Sequence, residues 1–131
     1  MRLWHYELIP HLDRQRLLSQ HRECAALRGK GWGKKHATVN YVFIHQYDML
    51  FRYHLLVMQE MKNRGYNVTA TWLNKEYRGQ IIGDDLSDFT QAVEEGMYPE
   101  HNDDYYNECL DLLIEKTKDI AGIDYTSLNR K

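Results

Sequence analysis

Between Asp13 and Leu27 the apolar and semi-apolar positions Leu17, Leu18, His21, Cys24 and Ala25 recur along one helix face. Asp13 is placed to cap that helix, with Pro10 just upstream, and Gly29 to stop it. Its opposite side carries Arg16, Ser19, Arg22 and Glu23. A second helix is predicted from about Asp48 to Arg64, with Leu50, Tyr53, Val57 and Met61 inward and Gly65 as its terminator. Leu86, Phe89 and Val93 give a third candidate over Asp85 to Glu95, ending before Gly96. A last helix is predicted from about Asp103 to Ala121, where Tyr106, Cys109, Leu113 and Ile120 repeat before Gly122.

The intervening segments are weaker. Thr38 to Ile44 has the β-branched and aromatic content of a strand but no partner strand, so a loop or short helical connection is expected. Tyr66 to Gly83 reads as a loop. The pattern predicts an all-α, compact single domain over residues 1–131. It has three to four helices, a functional amino-terminal arm and a basic Gly/Trp loop after helix one. With 43% hydrophobic residues the chain can build one continuous core.

Net charge changes the picture only when it is located. Residues 1–36 hold eight Lys/Arg against three Asp/Glu, net +5, and residues 37–83 five against three, net +2. Residues 84–131 hold four against thirteen, net −9. A total of −2 therefore conceals a basic front and an acidic back, and a basic face attracts polyanions locally.

The segment Arg28-Gly-Lys-Gly-Trp-Gly-Lys-Lys-His36 concentrates that charge. Its glycines permit close backbone approach, and Arg28, Lys30, Lys34, Lys35 and His36 are candidate phosphate contacts, although solvation alone explains lysines equally well. Trp32 offers a face for stacking on a displaced base, or a ring to bury in the core. It is not a nucleoside-triphosphate loop, because Lys35 stands where the magnesium-binding hydroxyl is needed.

The seven histidines form no His-x-x-x-His pair and the two cysteines no Cys-x-x-Cys, so neither a metal nor a cofactor is expected. Cys24 and Cys109 read as small buried thiols of a reducing compartment. No signal-peptide core or membrane span is visible, so a cytoplasmic monomer without membrane contact is expected.

Leu17-Leu-Ser-Gln-His-Arg-Glu23 followed by Lys34-Lys-His-Ala-Thr-Val39 resembles the pyrimidine-dimer DNA glycosylases of the phage endonuclease V type, which carry Tyr-Arg-Glu at the matching place on their first helix. Glu60-Met-Lys-Asn-Arg-Gly-Tyr-Asn67 is similar to that family's helix end, and Tyr77-Arg-Gly79 to its aromatic-Arg-Gly. The likeness thus covers roughly residues 1–80. The resemblance implies a glycosylase with abasic-site lyase activity on damaged double-stranded DNA. The amino-terminal α-amine would form a Schiff base, and β-elimination would cut the strand.

By that resemblance Met1 takes the nucleophile's place, Glu23 the acid/base role, and Arg2 the family's phosphate-binding arginine; Arg16 and Arg22 flank Glu23 as further phosphate contacts. An α-amine titrates near pH 8, so a good fraction is free nucleophile at neutral pH. Apart from the resemblance, Glu23 also reads as an ordinary salt-bridge partner. Two other classes remain in view: a non-catalytic nucleic-acid-binding module on the same scaffold, and a protein-interaction domain using the acidic carboxy-terminal surface.

Overall fold

The structure is a computed structural model in which residues 2–29, 31–32, 39–77 and 96–129 are described. Among these, three α-helices and several short 3-10 helices occur and no strand does: α1 (Arg14–Arg28), α2 (Tyr47–Asn63) and α3 (Asp103–Thr117). The expected all-α class is what the chain adopts. The helix expected over Asp85 to Glu95 lies outside the described residues.

Helix ends follow local chemistry. Asp13 caps α1, its carboxylate accepting from the Arg16 N–H, and Asn102 does the same for α3 through the Tyr105 N–H at 2.9 Å. Burial alone would raise the Asp13 pKa, but the Tyr125 hydroxyl and Arg16 outweigh it and hold the carboxyl low. Past Gly29, the Gly31 N–H reaches back to the Ala26 carbonyl at 2.8 Å, and a Cβ on Gly31 would sit 2.9 Å from that oxygen. Only glycine fits there.

Two expectations need correction. α3 closes at Thr117, not Ala121: the Ile120 N–H bonds the Thr117 carbonyl three residues back, tightening the chain into a turn, and Ile120 is 39% exposed. The segment Tyr66 to Gly83 is not all loop, because Ala70–Leu73 forms a 3-10 helix. Asn40–Phe43 is likewise a 3-10 helix, in line with the short helical connection expected there.

The amino-terminal arm is core material. Leu3, Trp4, Leu8, Ile9 and Leu12 are buried, and Tyr6–His11 winds into a 3-10 helix that accepts Pro10. These residues join Leu17, Cys24 and Leu27 of α1, Leu50, Tyr53, Val57 and Met61 of α2, and Tyr106, Cys109, Leu110 and Leu113 of α3. Burial pushes the Cys24 thiol pKa well up, which leaves it inert.

α1 and α2 run antiparallel, joined by side-chain bonds at 20–53, 21–54 and 28–47. The buried stripe of α1 is Leu17, Gln20, Cys24, Leu27 and Arg28, so two of its five positions are polar. Arg28 has no exposed surface. Its Nε donates to the Tyr47 hydroxyl at 2.7 Å, Nη1 to the Trp72 carbonyl at 2.8 Å, and Nη2 to the carbonyls of Asn74 at 2.8 Å and Tyr77 at 3.0 Å. The Phe51 and Trp72 rings flank it at 4.9 and 5.1 Å.

Nη1 also meets His54 Nδ1 at 2.9 Å, which makes that nitrogen an acceptor, so His54 Nε2–H donates to His21 Nδ1 at 2.8 Å. Burial, reinforced by the charge of Arg28 and by His21, pushes the His54 pKa down to about 2. His101 accepts from the Tyr6 N–H at Nδ1 and is held at about 3, chiefly by burial and then by His5.

Arg28→Lys should lower the thermal midpoint by roughly 10 °C, because one ammonium cannot span a hydroxyl and three carbonyls and each orphaned buried acceptor costs about 1–3 kcal/mol. Calorimetry checks this. Since both histidines stay neutral when folded but titrate near pH 6.5 when unfolded, the unfolded chain binds more protons below that pH. Their contribution is complete above it and is lost as pH falls. Urea titrations should show unfolding free energy dropping by roughly 2.7 kcal/mol per unit between about pH 6 and pH 5, the slope for two protons.

Candidate active site

A cleft of about 480 Å³ opens between the arm, the outer face of α1 and the carboxy-terminal half of α3. α1 supplies Gln15, Arg16, Ser19, Gln20 and Glu23, positions that share one side of a helix; the arm supplies Arg2 and Trp4, and α3 supplies Leu112 and Lys116. Three cationic side chains thus surround one carboxylate, in a volume typical of ligand sites.

Arg2 and Arg16 are held by neighbours that leave them on the wall. Arg16 Nη1 lies 3.2 Å from Asp13 Oδ2, one turn below it on α1. Arg2 Nη1 lies 3.2 Å from Glu108 Oε2, and its guanidinium sits 5.7 Å from the Tyr105 ring centroid. Arg22 is exposed, and its Nη2 donates to Ser19 Oγ at 3.0 Å, which turns it toward the rim that Ser19 shares. Glu23 is half-buried, with Oε1 shielded from solvent. A carboxylate beside fixed arginines, partly withdrawn from water, is equipped to stabilise a developing cation or to move a proton.

The backbone of the arm is fastened to the same helix. Gln20, only 3% exposed, donates from Nε2 to the Arg2 carbonyl at 3.0 Å and accepts from the Trp4 N–H at Oε1, 2.7 Å. The Tyr53 hydroxyl oxygen lies 2.5 Å from the Trp4 carbonyl oxygen and 2.6 Å from Gln20 Oε1, either of which can accept its proton. On the other side the Tyr105 hydroxyl donates to the Leu3 carbonyl at 2.5 Å.

Of the residues singled out in the sequence, Arg2, Arg16 and Glu23 meet in this cleft, with Arg22 at its rim. Arg28 does not: a phosphate contact was expected, but its guanidinium is enclosed by carbonyls in the core. Trp32 lies apart from the cleft, half-buried and edge-on to Phe43 at 5.2 Å and Tyr47 at 5.6 Å. Met1, Lys30, Lys34, Lys35 and His36 lie outside the described residues.

Gln20 and Lys116 escaped the sequence reading. The one available signal, for Gln20, was a glutamine between Leu17 and Cys24 on the buried stripe of α1. Among the described residues no three His, Cys, Asp or Glu converge as a metal site, and no helix is long and apolar enough to cross a membrane.

A family model described as pyrimidine dimer DNA glycosylase matches residues 1–74. No curated protein and no solved structure matches the chain. The matched span contains the arm, α1 and α2, hence Arg2, Arg16, Gln20, Glu23 and Tyr53, whereas α3 and the Tyr77-Arg-Gly79 triplet lie beyond it. Over half its length, and through most of the cleft wall, this chain belongs to the pyrimidine dimer DNA glycosylase family.

Proposed function

We propose that the chain excises damaged bases from duplex DNA and then cuts the strand at the resulting abasic site, with the α-amine of Met1 as nucleophile and Glu23 as acid/base. The amine lone pair bonds the sugar C1′ as the C1′–N glycosidic bond breaks, and the base departs with that electron pair and a proton. Glu23 gives a proton to O4′ as the C1′–O4′ bond breaks, and the opened sugar is left as a protonated imine beside the Glu23 carboxylate. Loss of a C2′ proton, taken by Glu23, then expels the 3′ phosphate, and hydrolysis of the imine frees the amine.

The observation that carries this reading is the cleft itself, which Arg2, its carbonyl fastened to Gln20, lines together with Glu23, one turn along α1 from Gln20. Its volume, about 480 Å³, suits a nucleotide turned out of the stack, as a buried sugar carbon demands. Arg2, Arg16 and Arg22, with Lys116, supply phosphate contacts around it. Lys30, Lys34, Lys35 and His36 extend the basic side along the duplex, and the enzyme acts as a cytoplasmic monomer.

Borohydride reduction in the presence of abasic-site duplex should trap a covalent complex whose adduct maps to Met1 by peptide mass spectrometry. Glu23→Gln should slow strand cleavage by about 100-fold or more while leaving salt-dependent DNA binding in place. A lysine adduct, or none, would overturn the mechanism; binding without any cleavage by the wild type would identify a non-catalytic DNA-binding module.

A further inference from the structure

Resting on the lyase reading above, we infer that Gln20 and Tyr53 are positioning residues for the amino-terminal nucleophile, holding the arm so that the amine addresses Glu23. Every carbonyl from residue 2 to residue 4 is taken by a side chain: Arg2 by Gln20, Leu3 by Tyr105 and Trp4 by Tyr53. The Gln20 carboxamide bonds the arm as a neighbouring strand would, donating to one residue's carbonyl and accepting from the N–H two residues on. That pairing also fixes its orientation, since a reversed amide would set NH₂ against the Trp4 N–H.

Three helices thereby hold three consecutive residues, far more restraint than an amino terminus needs merely to cover a core. The restraint also has a direction. Gln20 and Glu23 are three apart on α1, so the clamp on the Arg2 carbonyl and the acid/base are neighbours on one rigid helix face, about 5–6 Å apart at Cβ. A nucleophile one residue upstream of Arg2 inherits that registration, and the rate of attack depends steeply on such placement.

The test compares wild type, Gln20→Leu and Tyr53→Phe in single-turnover borohydride trapping on saturating abasic-site duplex, with the Kd for uncleaved DNA and the thermal midpoint measured beside it. The expected result is a trapping rate at saturation lowered by about ten-fold or more in Gln20→Leu and by about three- to ten-fold in Tyr53→Phe, with Kd changed by less than about three-fold. A rate at saturation equal to wild type in a folded Gln20→Leu protein overturns the inference. So does a parallel loss of rate, affinity and thermal midpoint in both variants, the behaviour of residues that only support the fold. Should Gln20→Leu fail to fold, Tyr53→Phe decides, because it keeps the ring and removes only the hydroxyl. An active wild type with unaffected variants removes the clamp and leaves the lyase; a wild type that traps no DNA removes both.

Discussion

A guanidinium with no contact to water must be ringed by acceptors, and much of this molecule is arranged around that requirement. Arg28 gathers the Tyr47 hydroxyl and the carbonyls of Trp72, Asn74 and Tyr77 about one planar fork. The segment around the 3-10 helix Ala70–Leu73 buries none of its own side chains, so its place is set largely by these bonds and by the ion pair of Lys75 with Asp48 at 2.8 Å. Burial, reinforced by the same charge, keeps His54 neutral, and the bond from the guanidinium fixes its tautomer, which aligns His21 across the α1–α2 seam. One buried cation thereby sets helix pairing, a connecting segment and two imidazoles.

Gln20 applies the same logic in the middle of α1. Two turns before Arg28 on the buried stripe, it ties down the arm where Arg28 ties down the loop. Unsatisfied, either group would cost more than most single core contacts contribute; satisfied, each specifies one geometry. α1 is thus a fixture from which both chain segments are hung, and its outer face is left to Arg16, Ser19 and Glu23.

What was legible in the sequence follows from this division. Apolar period and caps marked α1 and α2 almost to the residue, because those signals are local. The Arg22-Glu23 pair and the arm's Arg2 stand out through their resemblance to a known motif, and the fold brings Arg2 and Glu23 into one cleft. Arg28 was misread because a cation in a basic run looks solvent-facing, and nothing nearby announces carbonyls arriving from residues 72–77. Gln20 was passed over because its bonds to the arm form only once the arm folds back on α1, and Lys116 because its place in the cleft exists only after α3 docks. The end of α3 was overestimated because Ile120 fits the period, while the turn at Thr117 depends on a backbone bond that periodicity does not register.

α3 touches the cleft region in two places with different obligations. Near its start Tyr105 is bound to the Leu3 carbonyl and stacked beneath Arg2, whereas two and three turns later Leu112 and Lys116 line the cleft, Leu112 also packing against the core. Substitution at 112 and 116 therefore reshapes the opening without disturbing a single bond of the arm. A helix locked at one end and adjustable at the other can change the shape of the cleft while the arm stays in register.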